Sequence, residues 1–116
     1  ALELNPYNDW TWFIKGLVFN GLKRYEEALE CSNKALELDL TVNNHFALDN
    51  KAVALNGLKR YEEALECSNK ALELNPYNDW TWFIKGLIFN GLKKYAEALE
   101  CSNKALDLDV NTIPTF

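Results

Sequence analysis

Internal repetition is the feature that most narrows the folds open to this chain. Residues 1–40 and 71–110 align without gaps and differ at five positions. The differing pairs are Val18/Ile88, Arg24/Lys94, Glu26/Ala96, Glu37/Asp107 and Leu40/Val110. Every difference except Glu26/Ala96 keeps the chemistry of the side chain. Such self-similarity is typical of stacked repeat proteins, in which each unit buries its apolar face against its neighbours.

A shorter period lies inside this long unit. The motif Gly-Leu-Lys-(Arg/Lys)-Tyr-x-Glu-Ala-Leu-Glu-Cys-Ser-Asn-Lys-Ala-Leu begins at Gly21, Gly57 and Gly91, at spacings of 36 and 34 residues. We place the two extra residues in a loop at 41–44. The chain then divides into repeats at about 8–40, 43–76 and 78–110, with part of a helix at 1–6 and the start of a further repeat at 111–116. We therefore expect a single solenoid domain that belongs to a longer array.

Each repeat predicts two α-helices. The first helices are predicted at 8–21, 44–57 and 78–91, and the second helices at 24–39, 60–75 and 94–109. Asn8 or Asp9 is a suitable N-cap for the first helix, and Asn20-Gly21 is a signal for its C-terminus. The second helix has one apolar face and one acidic face, which we expect to be solvated.

The first helix differs from the second because it carries two apolar stripes. One stripe contains Trp12, Gly16 and Phe19, and the other contains Trp10 and its neighbours Phe13 and Leu17. A helix with two apolar stripes has to be covered on two sides. We expect the Trp12 stripe to pack in the core, and the Trp10 stripe to line the concave wall of the solenoid.

Charge and composition exclude several classes of function. The chain has 12 basic and 17 acidic side chains and a net charge of -5, which disfavours nucleic acid and anionic membrane surfaces as partners. It has no nucleophile elbow, phosphate-binding glycine loop or metal-ligand spacing, so we expect no enzyme activity and no cofactor. Cys31, Cys67 and Cys101 recur at one repeat position, and we expect partly buried free thiols in a reducing compartment, the cytoplasm.

The residues that recur in the two helices of each repeat resemble the tetratricopeptide repeat (TPR) signature. In the first repeat the matching residues are Trp12, Gly16, Phe19, Tyr25, Ala28 and Ala35. In the third they are Trp82, Gly86, Phe89, Tyr95, Ala98 and Ala105, and in the middle repeat Leu48, Ala52, Leu55, Tyr61, Ala64, Ala71 and Pro76. The Lys-Gly pair and the segment Tyr-Glu-Glu-Ala-Leu-Glu are also similar to the sequences of long prokaryotic or archaeal TPR arrays.

The resemblance implies an all-α, right-handed superhelical solenoid whose first helices line a groove for partner proteins. The groove positions that it implies are Trp10, Phe13, Ile14, Leu17, Asn20, Phe46, Asp49, Asn50, Val53, Asn56, Trp80, Phe83, Ile84, Leu87 and Asn90. Some TPR domains hold C-terminal carboxylates with a clamp of lysine, arginine and asparagine, and the positions that correspond to this clamp are apolar or acidic here. We therefore expect a protein or peptide partner with an apolar or aromatic segment.

Several interpretations stay open from the sequence. Trp10, Phe13, Trp80 and Phe83 either contact a ligand or cover seams between repeats. Asp49 and Asn50, which replace apolar residues of the other repeats, either contact a ligand or solvate a wider gap.

The recurring asparagines Asn20, Asn56 and Asn90 either cap helices or grip a peptide backbone, and we favour capping. We expect His45 to be exposed. The alternative function is a structural segment that stacks head to tail through uncapped ends.

Overall fold

The computed structural model describes residues 8–38 and 44–112, and side chains within 11–38 and 45–108. This part of the chain is entirely helical apart from short turns. The helices are α1 (Asn8–Gly21), α2 (Tyr25–Leu38), α3 (Asn44–Gly57), α4 (Tyr61–Leu74), α5 (Asp79–Gly91) and α6 (Tyr95–Thr112). The predicted all-α repeat fold is confirmed. Residues 41–43 of the predicted loop, the predicted segment 1–6 and residues 113–116 of the predicted tail lie outside the described residues. Asn44 begins α3, and α6 continues to Thr112, beyond the predicted helix end at 109.

Each first helix ends in a motif that the sequence did not reveal. The backbone N–H of Arg24 donates to the Phe19 carbonyl at 2.9 Å, and that of Lys23 donates to the Asn20 carbonyl at 3.0 Å. This is the Schellman pattern, with Lys23 in the left-handed position at φ 62°. Lys59 and Lys93 have the same conformation. Each first helix therefore ends at its Asn-Gly pair, as predicted, but the residue in the left-handed conformation is the lysine two positions after the glycine.

Small residues allow the two helices of each repeat to approach closely. A Cβ atom on Gly16 would lie 3.4 Å from the side chains of Cys31 and Ser32, and one on Gly86 would lie 3.3 Å from the Ala98 carbonyl oxygen. Alanines fill much of the remaining seam between the helices, and Ala28 and Ala64 are completely buried. This packing explains why the signature requires glycine or alanine at these positions.

The packing between helices shows which side of the solenoid is concave. The first helices pack directly on each other, α1 on α3 and α3 on α5. Among the described helices, the backbone of α2 does not approach that of α4, and the backbone of α4 does not approach that of α6. Because neighbouring first helices lie closer together than neighbouring second helices, the first helices line the inner side.

The two signature tryptophans lie at the edge of the core and not at its centre. Trp12 and Trp82 are half-buried, whereas the largest fully buried side chains are Leu55, Ile84 and Ile88. The Trp82 indole N–H donates to the Pro76 carbonyl at 3.2 Å, and Lys85 lies over the ring. We therefore expect Trp82→Ala to cost less than the roughly 3–5 kcal/mol that is usual for a fully buried aromatic residue.

The cysteines match the expectation for packing residues. Cys31, Cys67 and Cys101 are free and buried. Burial raises the pKa of all three thiols. A raised pKa keeps a thiol protonated and unreactive at neutral pH.

A tyrosine from one repeat packs on the glycine that ends the next first helix. A Cβ atom on Gly57 would lie 2.5 Å from the ring of Tyr25, and one on Gly91 would overlap the ring of Tyr61. Gly21 occupies the same sequence position in the first repeat, but a Cβ atom there would meet no described atom from outside its own helix within 4 Å. The glycine at this position is thus required by contact between repeats.

This arrangement predicts opposite effects for one substitution at two equivalent sites. Gly57→Ala should destabilise the chain by about 1–3 kcal/mol, because the added methyl group displaces Tyr25. Gly21→Ala should be neutral or stabilise by up to about 1 kcal/mol, because alanine is the better helix former. Urea unfolding of the two variants measures both effects, and equal changes would contradict the contact.

Candidate functional site

An apolar surface runs along the inner helices. We call it the first-helix surface and define it by Phe13, Leu17, Phe46, Val53, Trp80, Phe83 and Leu87. Leu17 is 48% exposed, Phe46 43% and Trp80 52%. Phe13 and Val53 are half-buried, and Val53 packs against the core. The side chain of Trp10, which the sequence places in the same stripe, lies outside the described residues.

Aromatic contacts organise this surface. Phe13 and Phe46 meet edge to face across α1 and α3, with ring centroids 6.0 Å apart. Trp80 and Phe83 stack within α5 at 5.1 Å. Edge-to-face and offset stacked geometries are the favourable ones for aromatic pairs. These two pairs fix the positions of four aromatic rings on the first-helix surface.

The lysines of the first helices lie away from the first-helix surface. Lys15 is placed over Trp12 and Lys85 over Trp82, on the other stripe of the helix. Lys51 lines a cleft between α3 and α4 with Glu63 and Glu66. Asp79 lines a cleft together with Trp80 and Phe83 of the first-helix surface, so the charge described beside these two rings is negative.

Asp49 occupies the position of Phe13 and Phe83 in the repeat, but its side chain is buried and does not lie on the first-helix surface. Its carboxylate is 2% exposed and accepts hydrogen bonds from the Thr81 hydroxyl at 2.8 Å and from the Asn78 Nδ2 at 3.3 Å. Burial raises the pKa of Asp49 to about 7, and the hydrogen bond from Thr81 opposes that shift. Asp49 therefore joins the middle repeat to the start of α5 and offers almost no surface to a ligand.

Asn50 makes the corresponding connection to the first repeat. Its Nδ2 donates to the Phe13 carbonyl at 3.1 Å, while the Asn20 Nδ2 donates to the Asn50 carbonyl at 3.0 Å. Asn50 is 4% exposed. Neither interpretation of the Asp49-Asn50 pair anticipated this role. The Asn20 side chain likewise bonds to the neighbouring repeat, whereas the sequence favoured a capping role for it.

His45 is buried, so the expectation that it is exposed is wrong. Its ring lies against Phe46, with centroids 4.0 Å apart, and its Nδ1 is 3.5 Å from the Asn78 Nδ2. Asn78 in turn caps α5, because its Oδ1 accepts from the Trp80 backbone N–H at 3.1 Å. Burial lowers the pKa of His45. The middle repeat thus contacts the N-terminus of α5 through both His45 and Asp49.

Ile84, like Asp49 and Asn50, does not lie on the implied groove. It is 1% exposed and lies in the core cluster with Leu55 and Ile88, because α5 packs against α4 on that side. Its counterpart Ile14 is 38% exposed on α1. The difference follows from the neighbours: a described repeat covers this face of α5, and none covers the same face of α1.

Thr81 and Asn78 are the partners that sequence reasoning missed. A signal was present, because the middle repeat alone carries Asp49, and Thr81 lies between two tryptophans in the first turn of α5. A buried carboxylate requires donors, and a neighbouring repeat was the available source.

Neither a metal-binding cluster nor a membrane-spanning helix occurs in the part of the chain that the structure describes. Over residues 8–38 and 44–112, no three histidine, cysteine or acidic side chains converge to hold a metal ion. The same helices include none with the length and apolar character needed to cross a bilayer.

Comparison with known proteins decides the family. Family models for the tetratricopeptide repeat match residues 9–76 and 81–111. The chain belongs to the tetratricopeptide repeat family. A TPR array of this kind is similar in sequence to the uncharacterized protein MJ0572 of Methanocaldococcus jannaschii, with 43% identity over 53 residues. The matched segment is 44% of this chain and 62% of that protein, so it spans less than two thirds of the relative.

Solved TPR domains have the same architecture. The first TPR domain of human RPAP3 superimposes with a TM-score of 0.82 at 26% identity, over 92% of this chain and 83% of that one. The second TPR of Spaghetti (RPAP3), bound to the HSP90 peptide SRMEEVD, superimposes with a TM-score of 0.77 at 25% identity. That match covers 87% of this chain and 92% of the other.

The buried carboxylate predicts an unusual pH dependence for this TPR domain. Because the pKa of Asp49 is higher in the folded chain than in the unfolded chain, the folded state binds its proton more tightly. This contribution to stability is complete below about pH 4 and is lost as the pH rises towards 7. We expect wild type to lose about 2–3 kcal/mol relative to Asp49→Asn between about pH 5 and 7.5.

Urea unfolding of both proteins at the two pH values measures this difference. The asparagine keeps the shape of the carboxyl group and cannot ionise, so it isolates the titration of Asp49. Parallel pH profiles for the two proteins would show that Asp49 does not retain its proton on folding.

Proposed function

We propose that this protein is a protein-binding scaffold module that holds an apolar peptide segment on its first-helix surface. The observation that carries the proposal is the row of exposed apolar side chains on the inner helices, with Phe46, Trp80 and Leu87 each more than two fifths exposed. Aromatic clusters of this kind are enriched at binding hot spots. A binding role without catalysis is also supported by membership of the TPR family.

A related domain supports the class of partner. The second TPR of Spaghetti is bound to the HSP90 peptide SRMEEVD. That peptide is acidic, whereas the first-helix surface of this chain consists of apolar side chains with Asp79 beside Trp80 and Phe83, and the chain has a net charge of -5. We therefore propose a partner segment whose anchors are apolar or aromatic and not carboxylate groups.

Two adjacent residues of α1 provide a matched test. Leu17 lies on the first-helix surface, and Val18 lies on the face of α1 that corresponds to the buried Ile88 of α5 and is similarly exposed, at 53%. Leu17→Asp should weaken binding of apolar peptides at least about tenfold, since the bound peptide would cover a carboxylate without a partner, which costs more than about 1.4 kcal/mol. Val18→Asp should bind as wild type does. A peptide array with both variants, followed by titration calorimetry on the peptides retained, measures this.

The same experiment separates groove binding from nonspecific adsorption. Leu87→Asp, the equivalent change in the third repeat, should reduce affinity for the same peptides. If Leu17→Asp and Val18→Asp lose the same peptides equally, the first-helix surface is not the binding site.

One observation favours a second candidate function, a structural segment that assembles end to end. Val18 on α1 is exposed, whereas its counterpart Ile88 is fully buried by the middle repeat. Open faces of this kind at repeat ends support stacking between chains. Sedimentation velocity over a range of concentrations decides between them: growth without peptide supports assembly, and a monomer that binds peptide supports the scaffold.

A further inference from the structure

The middle repeat has leucines where the other two repeats have aromatic residues. Leu48 corresponds to Trp12 of the first repeat and to Trp82 of the third. Further along α3, Leu55 corresponds to Phe89 of the third repeat, so a second ring is replaced. Because leucine is smaller than tryptophan or phenylalanine, less side-chain volume fills the space between α3 and α4.

A cleft opens between α3 and α4 at these two leucines. Its floor consists of the buried side chains of Leu48, Leu55 and Cys67. Four charged residues complete the lining: Lys51, Glu63, Glu66 and Lys70. The cleft has a volume of about 120 Å³, somewhat less than the roughly 150 Å³ of an apolar cavity that holds one benzene molecule. It therefore has room for one aromatic ring and not for a larger group.

The third repeat shows how the chain holds a ring at this position. Trp82 is half-buried, with the Lys85 Nζ 5.2 Å and the Lys104 Nζ 5.9 Å from its ring centroid. Ammonium groups are attracted to the negative face of an indole ring at such distances. In the first repeat, the Lys15 Nζ lies 5.2 Å from the centroid of the Trp12 ring. Lysines from both helices of the third repeat thus converge on its tryptophan.

The middle repeat keeps both of these lysines although it lacks the ring. Lys51 and Lys70 correspond to the two lysines at Trp82, and both line the cleft. The charge of Glu63, which also lines the cleft, is paired with Arg60 at 2.7 Å. The cleft therefore combines an apolar floor with cations that complement the negative face of an aromatic ring.

We propose that the cleft between α3 and α4 binds an aromatic side chain of a partner protein. The ring would rest on Leu48 and Leu55, with the ammonium groups of Lys51 and Lys70 beside it. Pockets for drug-sized ligands measure about 300 Å³ or more, so this cleft cannot enclose a larger molecule. One ring alone makes few contacts, whereas a polypeptide that carries the ring supplies further contacts around the cleft. A protein is therefore the source of the ring that the site favours.

A pair of short peptides tests for a site of this kind. The probes are Ser-Gly-Ser-Trp-Ser-Gly-Ser and the same peptide with leucine in place of tryptophan. In an NMR titration of the intact, ¹⁵N-labelled chain, the tryptophan peptide should shift the amide signals around Leu48 and Lys70. The leucine peptide should bind about two- to fivefold more weakly, because leucine has no ring face for the lysines. Equal affinity of the two peptides would overturn the proposal.

Filling the cleft from within provides a second test. Leu48→Trp gives the middle repeat the ring of its neighbours and should weaken binding of the tryptophan peptide at least about tenfold, because the cleft is then occupied. Lys70→Ala should weaken binding about two- to fivefold, whereas Lys104→Ala at the equivalent place in the third repeat should leave it unchanged. Both lysines are exposed, so these variants test the site even where Leu48→Trp perturbs the packing. Equal effects of the two alanine variants would contradict the assignment to the cleft.

Two further measurements separate the cleft from other sites and other ligands. Leu17→Asp alters the first-helix surface on α1 and should leave the shifts around Leu48 unchanged. Loss of these shifts would place the peptide on the first-helix surface and overturn the proposal. Free indole tests a small aromatic molecule as the occupant: indole that binds in the cleft when the tryptophan peptide does not would overturn the assignment to a partner protein. The cleft and the first-helix surface share no residue, so either proposal can fail without the other.

Discussion

The structure depends on close helix approach at positions without a side chain. Gly16 and Gly86 set the distance within repeats, and Gly57 and Gly91 receive a tyrosine from the preceding repeat. Interiors are packed as densely as organic crystals, so an added methyl group at such a place has to displace a neighbour. The spacing of the first helices, and with it the inner surface on which ligands can lie, follows from these contacts.

Polar bonds between repeats add direction to this packing. Asn50 donates a hydrogen bond to the Phe13 carbonyl of the preceding repeat. Asp49, the residue before it, accepts a hydrogen bond from Thr81 of the following repeat. The two junctions of the middle repeat are therefore chemically different, although the repeats on either side are nearly identical. Buried polar groups are costly without partners, so each junction excludes a repeat that does not supply the matching group.

Much of the fold was predictable because its signals are local. The repeat period and the amphipathic pattern predict six helices, and α1 and α3 have the predicted bounds. Relationships between repeats were harder to predict. Phe13 and Asp49 occupy one sequence position, yet Phe13 lies on the inner surface and Asp49 is buried, because a donor on the next helix draws the carboxylate inwards. His45 and Ile84 were misplaced for the same reason: their burial is decided by a neighbouring helix.

The left-handed lysines at the ends of the first helices have a consequence for the charge of the solenoid. Lys23, Lys59 and Lys93 each hold a conformation that favours glycine or asparagine. Each also places a cation next to a helix C-terminus, where the partial negative charge of the backbone is concentrated. An acidic chain thereby carries one positive charge at the same place in each of its three repeats, at sequence spacings of 36 and 34 residues, and each added repeat of this type would contribute one more.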